Sequence, residues 1–340
     1  LLKMQELYIW KYSKIAEVFA KKKKKSNGTY SYRLDKGAQS KMKNVEIKGI
    51  IPPIITPMND DESINAAELR NQVNRLIDGG VHALFPFGTN GEGYILNDQE
   101  KELVLKTVIE ETNGRVPVYA GTGCISTKDT IRMSKMAESL GADVLSIITP
   151  SFAAASQNEL YEHFKAVAEA VPNMPIVLYN IPARTGNAIA PDTVGRLAEI
   201  DNIVGAKDSS GNFNNILEYI AKTDKNFSVL SGNDALIIWN LLAGGTGGIA
   251  GCANLYPKTM SSIYDLFMEG KIEEAKAANA SIASFRACFK YGNPNTIVKT
   301  AVALMGHPVG KCRAPFNQVP EAGIEAIKKV LKENEAKGMA

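Results

Sequence analysis

The sequence predicts an α/β fold, a (β/α)₈ TIM barrel carrying a C-terminal helical extension. Three observations predict it. Eight short runs from residue 50 onward are almost wholly apolar, as strands of a parallel sheet covered on both faces must be. Amphipathic stretches long enough for crossover helices separate these runs. The 340 residues, 45% hydrophobic and 22% charged, suffice for one such barrel and exclude a disordered chain or a disulfide scaffold. A doubly wound sheet is the runner-up. No G-x-G-x-x-G follows its first strand, so it lacks the usual dinucleotide turn.

Residues 1–41 come first, as a basic extension. Residues 4–20 (MQELYIWKYSKIAEVFA) have an amphipathic pattern and are followed by Lys21 to Lys25. Charge after the apolar part is the wrong order for a signal peptide. Three readings stay open for this segment. It begins with Leu1, and Met42 directly precedes the first strand. Lys36-Gly37-Ala38 can be encoded by a ribosome-binding-site-like sequence, so the segment reads as translation upstream of the native start. An apolar stripe beside lysines also suits an acidic membrane surface. A disordered tail is the third reading.

The barrel is assigned to residues 42–270. Its strands are Ile50–Thr56, Ala83–Phe87, Val116–Ala120, Val144–Thr149, Ile176–Asn180, Ile203–Lys207, Phe227–Ser231 and Gly248–Gly251. Asp98–Glu111 reads as a crossover helix, with Leu103, Val104, Thr107 and Val108 at helical spacing. Thr127–Asp129 and Gln157–Glu159 read as helix starts, Asn113-Gly114 and Leu140-Gly141 as stops. Residues 271–340 form the helical extension, with helices near Ile272–Phe289, Thr296–Met305 and Pro320–Lys337. No linker sets the extension apart.

Charge divides along the same line. The chain carries a formal +3, but residues 1–41 hold 11 Lys+Arg against 3 Asp+Glu, and the rest holds 28 against 33. The body is therefore net acidic and gives no electrostatic reason to bind nucleic acid or an anionic membrane. Four cysteines form no C-x-x-C, and three dispersed histidines form no H-x-H or H-E-x-x-H. The cysteines read as small buried apolar residues in a reducing cytosol. No metal site is expected.

Barrel active sites lie at the C-terminal ends of the strands. Lys207 ends the sixth apolar run. It is either a desolvated amine able to attack a ketone or a structural lysine paired with an acid. Tyr179 ends the neighbouring run, as a proton-shuttling phenol or a core filler. Thr89-Asn90 sit in the turn Gly88–Glu92, whose free amides suit a carboxylate; a tight strand-to-helix turn is the alternative. Glu92 is equally a helix cap or a chemical acid. Arg184 follows a proline on the same rim, as a bidentate carboxylate grip or a surface arginine. Gly245–Gly248 has no basic partner beside it and is only a weak phosphate loop.

Together the Gly88–Glu92 turn (GTNGE), Tyr179–Gly186 (YNIPARTG), the lysine strand Gly205–Asp208 and Gly292-Asn293-Pro294 resemble, in order and spacing, the dihydrodipicolinate synthase/N-acetylneuraminate lyase family. These are pyruvate-dependent class I aldolases, and the resemblance runs from about Ile50 to Pro320. It implies a cytoplasmic homotetramer whose partners are pyruvate and an aldehyde. Lys207 would form the Schiff base with pyruvate, with no metal or added cofactor. Thr89 and Asn90 would hold the pyruvate carboxylate by their amides, Tyr179 would move the proton, and Ile249 would offer its carbonyl near the imine. Arg184 points to the synthase branch, which uses this arginine for the carboxylate of aspartate semialdehyde.

Two residues depart from the synthase pattern. Asn90 stands where the branch has a second threonine, and Phe152 where it has a tyrosine from the adjacent subunit. A three-hydroxyl relay cannot run through Phe152. N-acetylneuraminate lyase and 2-keto-3-deoxy sugar acid aldolase or dehydratase activities are therefore alternatives, as is a keto-acid-binding barrel with weakened catalysis. The positions of the branch's lysine-inhibition pocket read Gly93, Tyr94, Asp98, Lys101, Ile125 and Ser151, so lysine is not expected to inhibit.

Overall fold

A computed structural model describes residues 42–340. The basic extension, with its expected helix and lysine run, lies outside the described residues. Residues 42–340 form one compact unit. Seven parallel strands make up its sheet: β1 (Gly49–Ile51), β2 (Tyr119–Gly121), β3 (Val144–Ile148), β4 (Ile176–Asn180), β5 (Ile203–Asp208), β6 (Ser228–Ser231) and β7 (Gly247–Ile249). Their order is β1-β7-β6-β5-β4-β3-β2, every pairing parallel.

The second predicted strand, Ala83–Phe87, lies in the gap between β1 and β2. It is a stave rather than a regular strand, with one parallel bridge from Leu84 to Val118. His82 and Phe85 donate to Ile50 and Pro52 on one side, at 2.9 and 3.0 Å. Leu84 and Pro86 accept from Tyr119 and Gly121 on the other, at 2.8 and 3.3 Å. The barrel is thus closed. Pro52, Pro53, Pro86 and Pro117 lack the N–H that a continuous ladder requires. For the same reason the first predicted strand pairs only over Gly49–Ile51, and the third is confined to Tyr119–Gly121. The last ends at Ile249, because Gly251–Asn254 coil into a 3₁₀ turn.

Helices cover the outside. Asp98–Thr112 starts on a capping box between Asn97 and Glu100 and stops at Asn113, which adopts φ 46°. Val104, Leu105 and Val108 face the core, whereas Leu103, expected there, is 45% exposed. Thr127–Leu140 and Gln157–Ala170 begin after Ser126 and Ser156, whose hydroxyls cap them. The extension holds helices Ile272–Ser281, Ala283–Arg286, Pro294–Leu304 and Glu321–Glu335. The single helix expected over Ile272–Phe289 is interrupted at Ile282, whose side chain is buried.

Side chains alternate across each strand. Ile51, Phe85, Tyr119, Val177 and Leu230 fill the barrel interior. Outward residues such as Leu145, Ile147 and Leu178 pack under the helices. Ile297, Val298 and Ala301 of the extension share one core with Ile50, Cys252 and Met260. The extension therefore anchors to the barrel across the β1–β7 sector. Cys252, Cys288 and Cys312 are buried as expected, but Cys124 is only half-buried. Among the described residues no helix is long and apolar enough to cross a membrane.

Candidate active site

β4 and β5 pair in register, with Tyr179 opposite Lys207. Both side chains therefore project from the same level of the barrel. The Lys207 ammonium lies 3.8 Å from the centre of the Tyr179 ring and 5.5 Å from that of Phe85. Lys207 is 3% exposed, yet among the described residues it makes no ion pair. The neighbouring Asp208 is no substitute. Its carboxylate accepts from Asn180, Asn215 and Ser210. The lysine is thus buried against aromatic faces with no carboxylate partner among the described residues. Space for it depends on Gly232, where a Cβ would approach the Lys207 Cε to 2.8 Å.

The Tyr179 hydroxyl is 3.0 Å from Thr89 Oγ1. Thr89 reaches it because the chain turns sharply after the irregular stave. Phe87 and Glu92, on either side of the Gly88–Gly91 segment, both take positive φ, 65° and 58°, a region that costs non-glycine residues energy. The turn is held by a feature that sequence reading missed. Glu92 is fully buried; its Oε1 accepts from Lys299 at 2.8 Å and its Oε2 from the Arg313 N–H at 2.8 Å. Lys299 is 1% exposed. Glu92 is therefore neither a helix cap nor a free acid; it ties the turn to the C-terminal extension. The available signal was a lone lysine inside the apolar helix Pro294–Leu304.

Lys207, Tyr179, Thr89, Asn90, Arg184 and Ile249 all line one cavity of about 270 Å³. The six residues selected from the sequence are thus brought together. A second cavity of about 410 Å³ shares Thr89, Tyr179 and Arg184 with the first and extends outward to Tyr94, Lys101 and Ile125. Arg184 is in a single helical turn, Pro182–Thr185, rather than a loop. It is exposed and donates to Asn293 Oδ1 at 2.8 Å. Asn90 sits so close to the backbone that a Cβ on Gly251 would meet its amide nitrogen at 2.8 Å. Phe152 is not brought into either cavity. It is fully exposed, at φ 78°.

Burial pushes the Tyr94 phenol up to about 12; its oxygen accepts from Asn295, and its ring meets Phe316 edge-on at 5.4 Å. Asp98 does not reach the outer cavity's lining, and is paired instead with Arg132 at 2.7 Å.

Residues 46–334 match the model of the Dihydrodipicolinate synthetase family. The 4-hydroxy-tetrahydrodipicolinate synthase of Methanopyrus kandleri is 39% identical over 290 residues, covering 84% of this chain and 96% of that one. That of Acetivibrio thermocellus is 39% identical over 281 residues, covering 82% and 94%. Among solved structures, the chloride-inhibited dihydrodipicolinate synthase of Acinetobacter baumannii, complexed with pyruvate, superposes with a TM-score of 0.83. It is 35% identical, over 85% of this chain and 99% of that one. YagE, a prophage protein from E. coli K12 also in complex with pyruvate, gives 0.82 at 29% identity, over 86% and 99%.

Proposed function

Because the chain belongs to the dihydrodipicolinate synthetase family, we propose that it is a Schiff-base lyase condensing pyruvate with aspartate semialdehyde, as a 4-hydroxy-tetrahydrodipicolinate synthase of lysine biosynthesis. The observation that carries the reading is Lys207: a buried amine without a carboxylate partner, in register with a phenol bonded to Thr89.

The Lys207 amine adds to the keto carbon of pyruvate, and loss of water leaves an iminium. Tyr179 supplies and retrieves the protons of these steps, with Thr89 as its hydrogen-bond partner. Thr89 and Asn90 hold the pyruvate carboxylate through their backbone amides, and the Ile249 carbonyl faces the imine. The iminium is the electron sink. The pyruvate methyl loses a proton to give an enamine, whose carbon attacks the aldehyde. The amino group of the condensed chain then adds to the iminium carbon, expelling the Lys207 amine and closing the ring. Arg184 holds the aldehyde's carboxylate. No further cofactor enters, because Lys207 itself provides the covalent catalyst. The same reading carries a cytoplasmic homotetramer.

A second reading rests on Asn90 and Phe152. Neither offers the hydroxyl that a synthase relay uses, which favours an aldolase or dehydratase for a carboxylate-bearing sugar acid. A substrate panel separates the two. Pyruvate with aspartate semialdehyde is compared with cleavage of sialic acid and of 2-keto-3-deoxy sugar acids. Turnover of the first pair at a kcat/KM at least tenfold above the others supports the synthase. Faster cleavage of a sugar acid replaces it with the second reading.

A further inference from the structure

The inner cavity holds a third cation that neither the sequence motifs nor the catalytic scheme uses. Arg286, from the helical turn Ala283–Arg286, lines it together with Lys207, Arg184, Ser209 and Asn233. Its side chain is 26% exposed. A guanidinium offers five N–H donors, and a largely buried one is expected to spend them. Arg75 bonds Gln72 and the Asn254 carbonyl, and Arg313 bonds Glu100 and the Glu62 carbonyl. Among the described residues the Arg286 side chain makes no hydrogen bond. Its nearest carboxylate, Asp234, lies 3.6 Å away. The two oxygens of Asp234 accept instead from the N–H groups of Gly251 and Cys252, at 3.1 and 3.0 Å. Asp234 thus holds the cation electrostatically without taking its donors, and the Phe289 ring centre lies 5.5 Å away.

The strand order places this arginine on the far side of Lys207 from Arg184. Lys207 is on β5; Arg184 follows β4, and Asp234, beside Arg286, follows β6. The two guanidiniums flank the amine. Both guanidiniums line the cavity that holds Lys207 and the Thr89-Asn90 turn.

We propose that Arg286 is a specificity-determining residue that, together with Arg184 on the same cavity, binds the carboxylate of the second substrate. The substrate class is an aldehyde that carries a carboxylate. The inference rests on the Schiff-base reading only for the word aldehyde; the anion site stands on Arg286 itself.

The test uses the full chain and Arg286→Gln, which keeps bulk and removes charge, with Arg286→Lys beside it. Kinetics with pyruvate compare succinic semialdehyde with butanal, which lacks the carboxylate. Calorimetry measures succinate binding, before and after pyruvate and borohydride treatment. In Arg286→Gln, kcat/KM for succinic semialdehyde and succinate affinity both fall about tenfold or more, as expected for a lost charge-assisted pair. Kinetics with butanal and the pyruvate KM stay within about twofold, and Arg286→Lys is intermediate. Equal losses on both aldehydes, or unchanged succinate affinity, overturn the proposal and leave Arg286 a structural partner of Asp234. If wild type forms no pyruvate adduct, the Schiff-base reading fails, and succinate affinity of the untreated chains still decides the anion site.

Discussion

Lys299→Met removes one partner of a fully buried ion pair while nearly preserving side-chain length. The lysine is 1% exposed, Glu92 is fully buried, and their N–O distance is 2.8 Å. After the change, Glu92 retains the Arg313 N–H but loses its ammonium partner. An unpaired buried charge left in this way costs about 3–5 kcal/mol. The neutral double variant Glu92→Gln/Lys299→Met keeps an acceptor for Arg313 and leaves no charge, so its cost falls to about 1–2 kcal/mol, near that of one imperfect buried hydrogen bond. Urea unfolding of the full chain, followed by circular dichroism, measures both. The turn bearing Thr89 and Asn90 also loses its tie to the extension, so the pyruvate KM of Lys299→Met rises. A single variant within about 1 kcal/mol of wild type, or a double variant no more stable than the single, refutes this account of the pair.

Three further outcomes follow from the same structure. Tyr179→Phe keeps the ring beside Lys207 and deletes the hydroxyl 3.0 Å from Thr89; kcat falls about 100- to 10,000-fold in steady-state assays, and a loss under about tenfold removes Tyr179 from proton transfer. Burial lowers His163 to about 4, below its unfolded value, so the stability from keeping it neutral is complete above pH 6.5 and is lost as pH falls from 6.5 towards 4. His163→Gln flattens the fall in unfolding free energy over that window, by at most about 1.4 kcal/mol per pH unit, and an unchanged slope contradicts the assignment. Free lysine at micromolar concentration leaves activity unchanged, because the Lys101 ammonium already occupies the outer cavity's wall and repels a second one; inhibition in a lysine titration contradicts this.

Much of the site was legible because barrel chemistry is concentrated at strand ends, and strand ends are readable as apolar runs. Alternation with a period of two turns residues in register to the same face, and Tyr179 and Lys207 pair in register. Prolines hid the irregularity of the stave Ala83–Phe87: Pro52, Pro86 and Pro117 keep the strand's place while removing its ladder donors. Contacts across great sequence distance were not legible. Glu92 meets Lys299 across 207 positions, and no local pattern announces such a pair. Arg286 escaped for the same reason, since only the folded extension carries it to the barrel mouth. Leu103 was misplaced because a helix stripe read from a few apolar residues leaves its edge positions ambiguous.

The central claim is that Lys207 is the covalent catalyst. Incubating the full chain with pyruvate and borohydride, then mapping peptides by mass spectrometry, tests it most directly. The account predicts a reduced pyruvate adduct on the peptide containing Lys207 and on no other, and its loss in Lys207→Ala together with activity. An adduct on a different lysine, or full turnover in Lys207→Ala, would contradict it.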